Sequence, residues 1–372
     1  MLTKRETQLL ELIEEMPEIT QNELAKRCGI TRSSVAVHIS NLMKKGVITG
    51  KGYIVRNKPY ILVVGGQNID IYGRPRAIPT RNDSTPGSVR ITEGGVGRNI
   101  AVNLALLGEE VKLVTVFGGD HHAEQLAASA RRLGVDISHS LTVQEPTSTY
   151  LLIMGANGDI EMSVADMDIY DQLSPEFLAG KQKVIARAGA CVADTDLPAD
   201  TLEWLAANCR SPLFLRTVST HKAARAAGII GKAHAFAPNL AEAEVLYGRP
   251  ISGIAGLRGA ARHFLGLGAK QVYIMMGADG VYATDGTAET ELHGIKVRPQ
   301  NTVGTQDSFV AGLVWAWLQN FNLEESALAA AAAADICMLS EESVNLQITE
   351  EALRAEMQRL TDGALLGSAM NE

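Results

Sequence analysis

The segment PYILVVGGQNID, residues 59–70, is an apolar run that ends in Gly65-Gly66. This pattern predicts a buried strand followed by a tight turn. A short linker is expected around residues 57–59, so the strand opens a large domain over residues 59–372. Residues 1–58 are then expected to form a separate, smaller domain.

Similar apolar runs recur along the rest of the chain, and helical patterns lie between most of them. Strands that alternate with helices form parallel sheets, so residues 59–372 are predicted to be an α/β domain with a doubly wound, mostly parallel sheet. Ligands bind such sheets at the carboxyl ends of the strands. The strand candidates are VKLVTVFG, YLLIMG, GACVAD, LFLRTV, AFAPN and QVYIMMG, and the helical patterns include RNIAVNLALLG, AEQLAASARRLG and GLRGAARHFLGLG.

The composition is that of a globular protein: of 372 residues, 46% are hydrophobic and 20% are charged. The four cysteines form no C-x-x-C pair, so no zinc or redox motif is predicted. The charged N-terminus does not resemble a signal peptide, and the apolar run Ala327–Ala334 is too short to cross a bilayer. We therefore expect a cytoplasmic protein with no membrane partner.

The first 58 residues differ from the rest in charge, because residues 24–58 contain eight Lys or Arg and no acid, whereas the whole chain carries a net charge of −8. Residues 4–16 have a helical period, Thr20 caps a second helix that stops at Gly29, and Thr31 caps a third. The apolar residues of the third helix are expected to point mostly inward; they are Val35, Val37, Ile39, Leu42 and Met43. VITGKGYIV then predicts a hairpin.

Three helices and a basic hairpin resemble a winged helix-turn-helix, in which the third helix enters the major groove of DNA and the hairpin contacts the backbone. A small protein–protein or dimerisation module with a solvated basic face is the alternative. The candidate DNA contacts are Arg32, Ser33, Ser34, His38, Lys44, Lys45 and Lys51.

Polar turns follow several predicted strands. Asp70 stands just past the first strand, where a carboxylate can accept hydrogen bonds from two sugar hydroxyls; a plain turn residue is the alternative. The turn GGVGRN, residues 94–99, runs into a helical pattern, and its glycines let backbone N–H groups approach a ligand. Its spacing fits neither the dinucleotide fingerprint nor a P-loop, and a generic strand–helix turn is the alternative.

Two further turns contain possible catalytic groups. Asn239 and Glu242 offer oxygen donors that suit Mg²⁺, often through water, although their spacing alone favours a helix capping box. The turn NTVGTQDSF, residues 301–309, feeds another helix and offers backbone donors for phosphate oxygens. Asp307 can take a proton from an attacking hydroxyl there, because phosphoryl transfer needs chiefly positioning and charge neutralisation. A plain N-cap aspartate is the alternative.

In this order, the four turns resemble the ribokinase-like, or PfkB, family of carbohydrate kinases, from about residue 59 to about residue 360. The resemblance implies an ATP-dependent kinase with a small β lid from about residues 70–92 and 146–164. It implies Asp307 as catalytic base and Mg²⁺ at Asn239 and Glu242, and it admits a monovalent cation. The implied substrate-binding residues are Asn68, Asp70, Gly94, Gly95, Asn99 and Asp166, and the implied ATP and anion-hole residues are Asn239, Gly277, Gly280, Gly304, Thr305, Gln306 and Asn345.

Other segments resemble bacterial pseudouridine kinases, some of which also carry an N-terminal helix-turn-helix. By this resemblance pseudouridine is the first expected substrate, within a wider class of nucleosides and sugars. Because family members often dimerise through the lid and winged helices read paired half-sites, a homodimer is expected. The segments are GGQNIDIYGRP, TPGSVRITEGGVGRNIAVNLALLG, MSVADMDIY, APNLAEAEVLYG and ESVN.

The nucleotide side departs from the family pattern at four places. A side chain at position 306 adds bulk where a γ-phosphate approaches, and losing one oxyanion-hole donor costs about 10²–10³ in rate. The alternative function is therefore a transcriptional regulator that senses a nucleoside or sugar and phosphorylates it slowly or not at all. The departures are Gly304-Thr305-Gln306-Asp307 for Gly-Ala-Gly-Asp, Asn301 for Asp, Met275-Met276 for a Thr, and Arg216-Thr217-Val218-Ser219 for Asp-Pro-Val-Ser.

Overall fold

The computed structural model describes residues 2–16, 19–49, 59–79, 82–155, 160–294 and 300–369. The chain divides into two compact units, Met1–Pro59 and Tyr60–Glu372. Most of the expected hairpin over residues 47–55, including Lys51, lies outside the described residues.

The first unit contains three helices, α1 (Lys4–Glu15), α2 (Gln21–Cys28) and α3 (Arg32–Lys44). The predicted caps are confirmed: the side chains of Thr20 and Thr31 accept hydrogen bonds from backbone N–H groups three residues on. Gly29 ends α2 with a left-handed φ of 63°, a conformation that favours glycine.

The core of the first unit corrects one expectation about α3. Val35, Ile39 and Leu42 are buried, at a spacing of four and three residues that keeps them on one face. Val37 and Met43, which were expected to point inward, are 59% and 47% exposed. Val37 lies two residues from both Val35 and Ile39, and two residues is about half a helical turn, so its side chain is on the opposite face.

The second unit contains the remaining strands and helices. The strands, in chain order, are β1 (Ile61–Val64), β2 (Asn68–Pro75), β3 (Gly87–Gly94), β4 (Val111–Val114), β5 (Val116–Phe117), β6 (Leu141–Thr142), β7 (Thr149–Met154), β8 (Ile160–Asp166), β9 (Ala190–Asp194), β10 (Leu213–Arg216), β11 (Ala235–Ala237), β12 (Gln271–Met275), β13 (Val281–Thr284) and β14 (Glu289–Leu292). The helices are α4 (Val96–Leu106), α5 (His121–Arg132), α6 (Pro175–Ala179), α7 (Gln182–Arg187), α8 (Ala199–Asn208), α9 (Thr220–Ala223), α10 (Leu240–Tyr247), α11 (Gly253–Leu267), α12 (Thr305–Leu318), α13 (Leu323–Met338) and α14 (Glu350–Ala369).

The main sheet has the strand order β14-β13-β12-β11-β10-β9-β1-β4. It is parallel from β4 to β12 and antiparallel at β13 and β14, so the predicted mostly parallel sheet is confirmed. Ile61 and Val63 pack into the core on one face and Leu62 and Val64 into the core on the other. A strand buried on both faces reads as a continuous apolar run, which is why the segment 59–70 is so distinctive.

Helices cover both faces of this sheet. The core that contains Ile61 is built with α4, α5, α12, α13 and α14, and the core that contains Leu62 with α6, α7, α8, α10 and α11. No helix within the described ranges is long and apolar enough to cross a membrane.

A second sheet, hereafter the lid sheet, has the strand order β3-β2-β7-β8. Its strands lie in the two segments expected to make a lid, β2 and β3 in the first and β7 and β8 in the second, with the bounds given above. β2 pairs with β3 antiparallel and with β7 parallel, and β7 pairs with β8 antiparallel.

Candidate active site

The carboxyl ends of neighbouring parallel strands meet at one edge of the main sheet. β1 runs into Gly65-Gly66, β9 ends at Asp194, β10 ends at Arg216, and Asn239 follows β11. All these positions come directly after buried strand residues. The edge therefore collects polar side chains from segments that are far apart in sequence, as expected for a doubly wound sheet.

Gly304 places Asp307 at this edge. Its φ is 84°, and a Cβ there would stand 1.9 Å from the carbonyl oxygen of Ser343. Both facts require glycine. α12 begins at the next residue, so Asp307 lies in its first turn, where a helix offers unpaired N–H groups and the positive end of its dipole. The turn is suited to a carboxylate and to phosphate oxygens.

Asp307 is 5% exposed and is held by two side chains. Asn99, in the first turn of α4, donates from Nδ2 to Oδ2 of Asp307 at 2.9 Å. Arg216 places its Nε 3.7 Å from Oδ1. The structure therefore brings the turn 94–99 and the turn 301–309 together around one carboxylate.

The ionisation of Asp307 reflects opposing influences. Burial raises the pKa of Asp307, and the Arg216 guanidinium and the hydrogen bond from Asn99 oppose that rise. The carboxylates of Asp196 and Glu242 add to the rise. A carboxyl whose pKa is raised above its usual range is a better proton acceptor once ionised, as a general base requires.

Asp70 lies on β2, close enough to Asp307 for the two carboxylates to influence each other. Its Oδ1 accepts a hydrogen bond from Nδ2 of Asn68 at 2.6 Å. Gly94 lies across from Asn68, and a Cβ on it would come within 2.2 Å of the Asp70 carboxylate. Burial raises the pKa of Asp70 to about 6, and the nearby charge of Asp307 contributes to the rise.

Asp166, the remaining expected substrate residue, lies apart from Asp70 on the lid sheet. It is exposed at the end of β8 and pairs with Thr149, which in turn pairs with Ile69. Cross-strand partners share a face and neighbours along a strand alternate, so Asp166 and Asp70 lie on opposite faces of the sheet. Its role in substrate binding stays a prediction.

Asn239 and Glu242 form the capping box that their spacing favoured. Glu242 is fully buried, and its Oε2 accepts hydrogen bonds from Oγ1 of Thr217 at 2.6 Å and from the Asn239 N–H at 2.9 Å. Arg216 adds a hydrogen bond from Nη1 to Oε2 at 3.1 Å. A carboxylate that is already neutralised and hydrogen-bonded in this way does not fit direct coordination of Mg²⁺. Within the described ranges, no three His, Cys, Asp or Glu side chains are grouped to hold a metal ion.

The expected nucleotide-side residues are spread over three turns. Gly277 and Gly280 flank a short 3₁₀ turn between β12 and β13. Asn345 donates to the carbonyl of Ile336 in α13 at 2.8 Å and accepts from the N–H of Gln347 at 3.0 Å, so its amide connects the end of α13 to the turn that contains Asn345. The structure gives Asn345 a structural task, and a contact with adenine stays a prediction.

Arg216 is noted in the sequence only as a departure from the family pattern, and no role in the site is predicted for it. It is 4% exposed, and besides Glu242 it donates from Nη2 to Oε1 of Gln306. Arg216 stands at the end of β10, within a predicted strand, and ligands bind doubly wound sheets at the carboxyl ends of the strands, so its position in the sequence could have indicated a role in the site. Asp194 and Asp196 follow β9 in the same way and were also missed; Asp196 accepts a hydrogen bond from Lys222 at 2.6 Å.

The candidate DNA contacts all belong to the first unit. Arg32, Ser33, Lys44 and Lys45 are exposed, and Ser34 and His38 are half-buried. Lys45 pairs with the buried Glu6 at 2.7 Å, so this lysine stabilises the packing of α1 against the end of α3.

Comparisons with known proteins identify both units. Residues 58–349 match the model of the pfkB family carbohydrate kinases, and residues 2–49 match winged helix-turn-helix DNA-binding domains. The chain is 36% identical over 344 residues to the uncharacterized sugar kinase YeiI of Escherichia coli (strain K12), covering 91% of this chain and 94% of that protein. It is 34% identical over 275 residues to the pseudouridine kinase of the same organism, covering 73% and 88%.

Solved structures agree on the fold. A carbohydrate kinase from Agrobacterium tumefaciens, 28% identical, matches with a TM-score of 0.70 over 81% of this chain and 97% of its own. An Arabidopsis thaliana ribokinase in complex with ribose and ATP, 21% identical, matches with a TM-score of 0.71 over 80% and 98%. The ribokinase-like fold predicted from the sequence is confirmed.

Proposed function

Because the chain belongs to the pfkB family of carbohydrate kinases, we propose that it transfers a phosphoryl group from ATP to a hydroxyl of a nucleoside, with pseudouridine as the first candidate. Kinase activity toward a sugar or nucleoside hydroxyl follows from the family. The choice of pseudouridine is supported by the 34% identity to a pseudouridine kinase over most of both chains.

The observation that carries the mechanism is the position of Asp307. Its carboxylate lies at the start of α12, buried, oriented by Asn99 and beside a guanidinium. In the proposed reaction Asp307 accepts the proton of the acceptor hydroxyl while that oxygen forms a bond to the γ-phosphorus of ATP. The bond from this phosphorus to the bridging oxygen breaks, and ADP leaves with the electron pair.

Asp70 is the proposed anchor for the acceptor. Asn68 fixes one carboxylate oxygen, and the absence of a side chain on Gly94 keeps the carboxylate accessible from the strand beside it. A carboxylate can accept hydrogen bonds from two sugar hydroxyls. We assign no step to Mg²⁺, because Asn239 and Glu242 do not offer free oxygen ligands; Mg²⁺ stays a prediction as the companion of ATP.

A second candidate function concerns the first unit. Its match to winged helix-turn-helix domains and the exposed basic residues on α3 support DNA binding. The chain would then regulate transcription in response to its nucleoside, either as an active kinase or as a sensor. The side chain of Gln306 in the phosphate turn is the feature that favours a sensor.

A homodimer is also proposed, through the lid sheet. The cross-strand rows Val89–Gly73–Ile153–Met162 and Ile91–Ile71–Leu151–Val164 share one face. On this face Val89 is 72% and Met162 65% exposed. An apolar sheet face of this kind is a protein-interaction surface, and a second copy of the sheet offers a self-complementary partner.

A substrate panel tests the proposed reaction. The purified chain is incubated with ATP and Mg²⁺ and with pseudouridine, uridine, inosine or ribose, and ADP release and the phosphorylated product are followed. We expect turnover with pseudouridine to exceed that with uridine by at least about tenfold. Pseudouridine has a ring N–H that uridine lacks, and a site that hydrogen-bonds such a group discriminates at least that strongly against the analogue without it. Tight nucleoside binding without turnover on any acceptor would favour the sensor instead.

A further inference from the structure

Two of the departures from the family pattern touch one another. Arg216, at the end of β10, and Gln306, in the first turn of α12, are 90 residues apart in sequence, yet Nη2 of Arg216 donates to Oε1 of Gln306. Considered alone, each substitution would be expected to impair phosphoryl transfer. Arg216 adds a buried charge, and Gln306 adds a side chain in the turn that is expected to bind phosphate. Together they form one contact, which indicates that the site is rebuilt around a guanidinium.

The guanidinium is buried and only partly satisfied. Nη1 is held by Glu242 at 3.1 Å and Nη2 by Gln306, whereas Nε has no hydrogen-bond partner among the described residues and lies 3.7 Å from Oδ1 of Asp307. A buried donor without a partner costs about 1–3 kcal/mol and calls for an explanation. A phosphate oxygen bound beside Asp307 would be such a partner.

The charge around Asp307 supports the same conclusion. Two buried carboxylates, Asp307 and Glu242, flank the single guanidinium of Arg216. The neighbouring cations are engaged elsewhere, because Arg98 pairs with Glu93 and Lys222 with Asp196. The phosphates of ATP add negative charge, and among the described residues Arg216 is the cation that forms an ion pair with Asp307, where the phosphoryl group would be transferred.

Given the kinase reaction above, on which the inference rests, we propose that Arg216 is a catalytic residue that binds the phosphoryl group as it passes from ATP to the acceptor oxygen. Asp307 must lie within about 3 Å of that oxygen, and the oxygen within about 3–3.5 Å of phosphorus. A donor 3.7 Å from the Asp307 carboxylate is therefore close enough to donate to an oxygen of the phosphoryl group at this position. Gln306 and Glu242 hold the guanidinium in place for this contact.

The test uses the full chain with Arg216→Gln, Arg216→Lys and the control Arg258→Gln. Arg258 forms an exposed pair with Glu289 and lies outside the site. A cis arginine at a transferred phosphoryl group is worth about 10³–10⁵ in kcat, so we expect Arg216→Gln to lose at least about 10³ while the KM for the nucleoside changes only a few-fold. Arg258→Gln is expected to match the unaltered protein.

A second readout does not need turnover. Aluminium fluoride with ADP, Mg²⁺ and nucleoside mimics the transferring phosphoryl group, and its binding is followed by ¹⁹F NMR. We expect the unaltered chain to bind the mimic and Arg216→Gln to lose it while retaining ADP. If the unaltered chain phosphorylates no acceptor but binds the mimic through Arg216, the proposed kinase function fails, and of the assignment only the binding of a phosphoryl group by Arg216 stands.

Two results would overturn the assignment. One is a kcat for Arg216→Gln within a few-fold of the control; the other is aluminium fluoride binding that persists in Arg216→Gln.

If Arg216→Gln does not fold, as judged by its thermal unfolding, the kcat of Arg216→Lys tests the assignment instead. This variant keeps a charge for Glu242 but loses the guanidinium fork, so we expect at least about a tenfold fall in kcat, and an unchanged kcat would contradict the proposal.

Discussion

Five carboxylates that are almost excluded from water lie at or near one edge of the main sheet, namely Asp70, Asp194, Asp196, Glu242 and Asp307. Asp194 accepts hydrogen bonds from the backbone N–H groups of Gly66 and Asp196. Burying such charges destabilises a fold unless they are paired. Lys222 compensates one of them and Arg216 two. Asp70 has the hydrogen bond from Asn68, and Arg98 acts on it from farther away.

Replacing Asp70 by Asn is therefore expected to stabilise the protein at neutral and alkaline pH. Burial raises the pKa of Asp70 to about 6, above that of the unfolded chain, so the ionised group destabilises the folded state above pH 6. We expect Asp70→Asn to raise the free energy of unfolding by about 2–3 kcal/mol at pH 8. This difference should shrink as the pH falls through 6 and be only a few tenths of a kcal/mol, roughly, at pH 4, where the folded state is protonated and the unfolded aspartate about half protonated.

Urea unfolding at pH 8 and pH 4 measures the difference between the two proteins. Nucleoside affinity should fall in the same variant, since the anchor is removed. An Asn variant that is no more stable than the unaltered chain at pH 8 would contradict the account of Asp70 as a poorly compensated buried acid.

At the residue scale, local sequence patterns predicted that Asp70 and Asp307 belong to the site, but they did not predict which side chains contact these carboxylates. Asp70 and Asp307 follow strand and turn patterns that can be read locally. The contact between Arg216 and Gln306 joins residues 90 positions apart in the sequence. They meet because the carboxyl end of β10 lies next to the first turn of α12 in the fold. Sequence reasoning therefore saw two separate defects where the structure has one interaction.

Among the elements, the lid sheet has two unlike faces. One carries Asp70 and the buried Tyr72 and Leu152 toward the unit. The other carries the apolar rows that begin at Val89 and Ile91. Arg90, on the Asp70 side of β3, reaches the loop after α13 through ion pairs with Glu341 at 2.7 Å and with Glu342. One face thus carries Asp70 of the candidate active site, and the other is the face proposed above to bind a second copy of the chain.

Placing a charge on the apolar face is expected to separate the proposed dimer. Val164 is 58% exposed, so Val164→Glu should leave the fold of the subunit intact. In a dimer interface the same glutamate would be buried and unpaired, at a cost of several kcal/mol. Analytical ultracentrifugation should show a dimer for the unaltered chain and a monomer for the variant. Ser163→Glu, on the other face of β8, is the matched control, and a dimer that survives Val164→Glu would exclude this face.

Prediction was most successful for the elements of the α/β unit. Strands buried on both faces read as short continuous apolar runs, and each predicted run corresponds to an observed strand. It was least successful where a helix is half exposed. In α3, Val37 and Met43 are apolar but face water, because a 13-residue helix in a small unit has room for only one buried stripe.

At the scale of the whole molecule, the chain joins a matched DNA-binding family to a matched kinase family. Each unit has its own hydrophobic core, and no core cluster of the described residues is shared between them. Because the cores are separate, we expect that substitutions can remove the proposed DNA binding and the proposed phosphorylation one at a time.

Removing charge from α3 should weaken DNA binding and leave phosphorylation unchanged. We expect Arg32→Ala with Lys44→Ala to lower affinity for a pool of random DNA duplexes and to reduce the slope of log affinity against log salt by about 0.9 for each DNA phosphate that the variant no longer neutralises. Fluorescence anisotropy at several salt concentrations measures both. Lys4→Ala, on α1, is the control. DNA binding that persists after removal of residues 1–58 would refute the assignment of this activity to the first unit.

The most direct measurement of the central claim compares the unaltered chain with Asp307→Asn. Asparagine keeps the shape and can still hydrogen-bond to Asn99, but it cannot accept the proton of the acceptor hydroxyl. With ATP, Mg²⁺ and pseudouridine, we predict that kcat falls by about 10²–10⁴ while nucleoside affinity, measured by calorimetry, stays within a few-fold. Equal turnover by Asp307→Asn, or nucleoside binding without any turnover by the unaltered chain, would contradict the account.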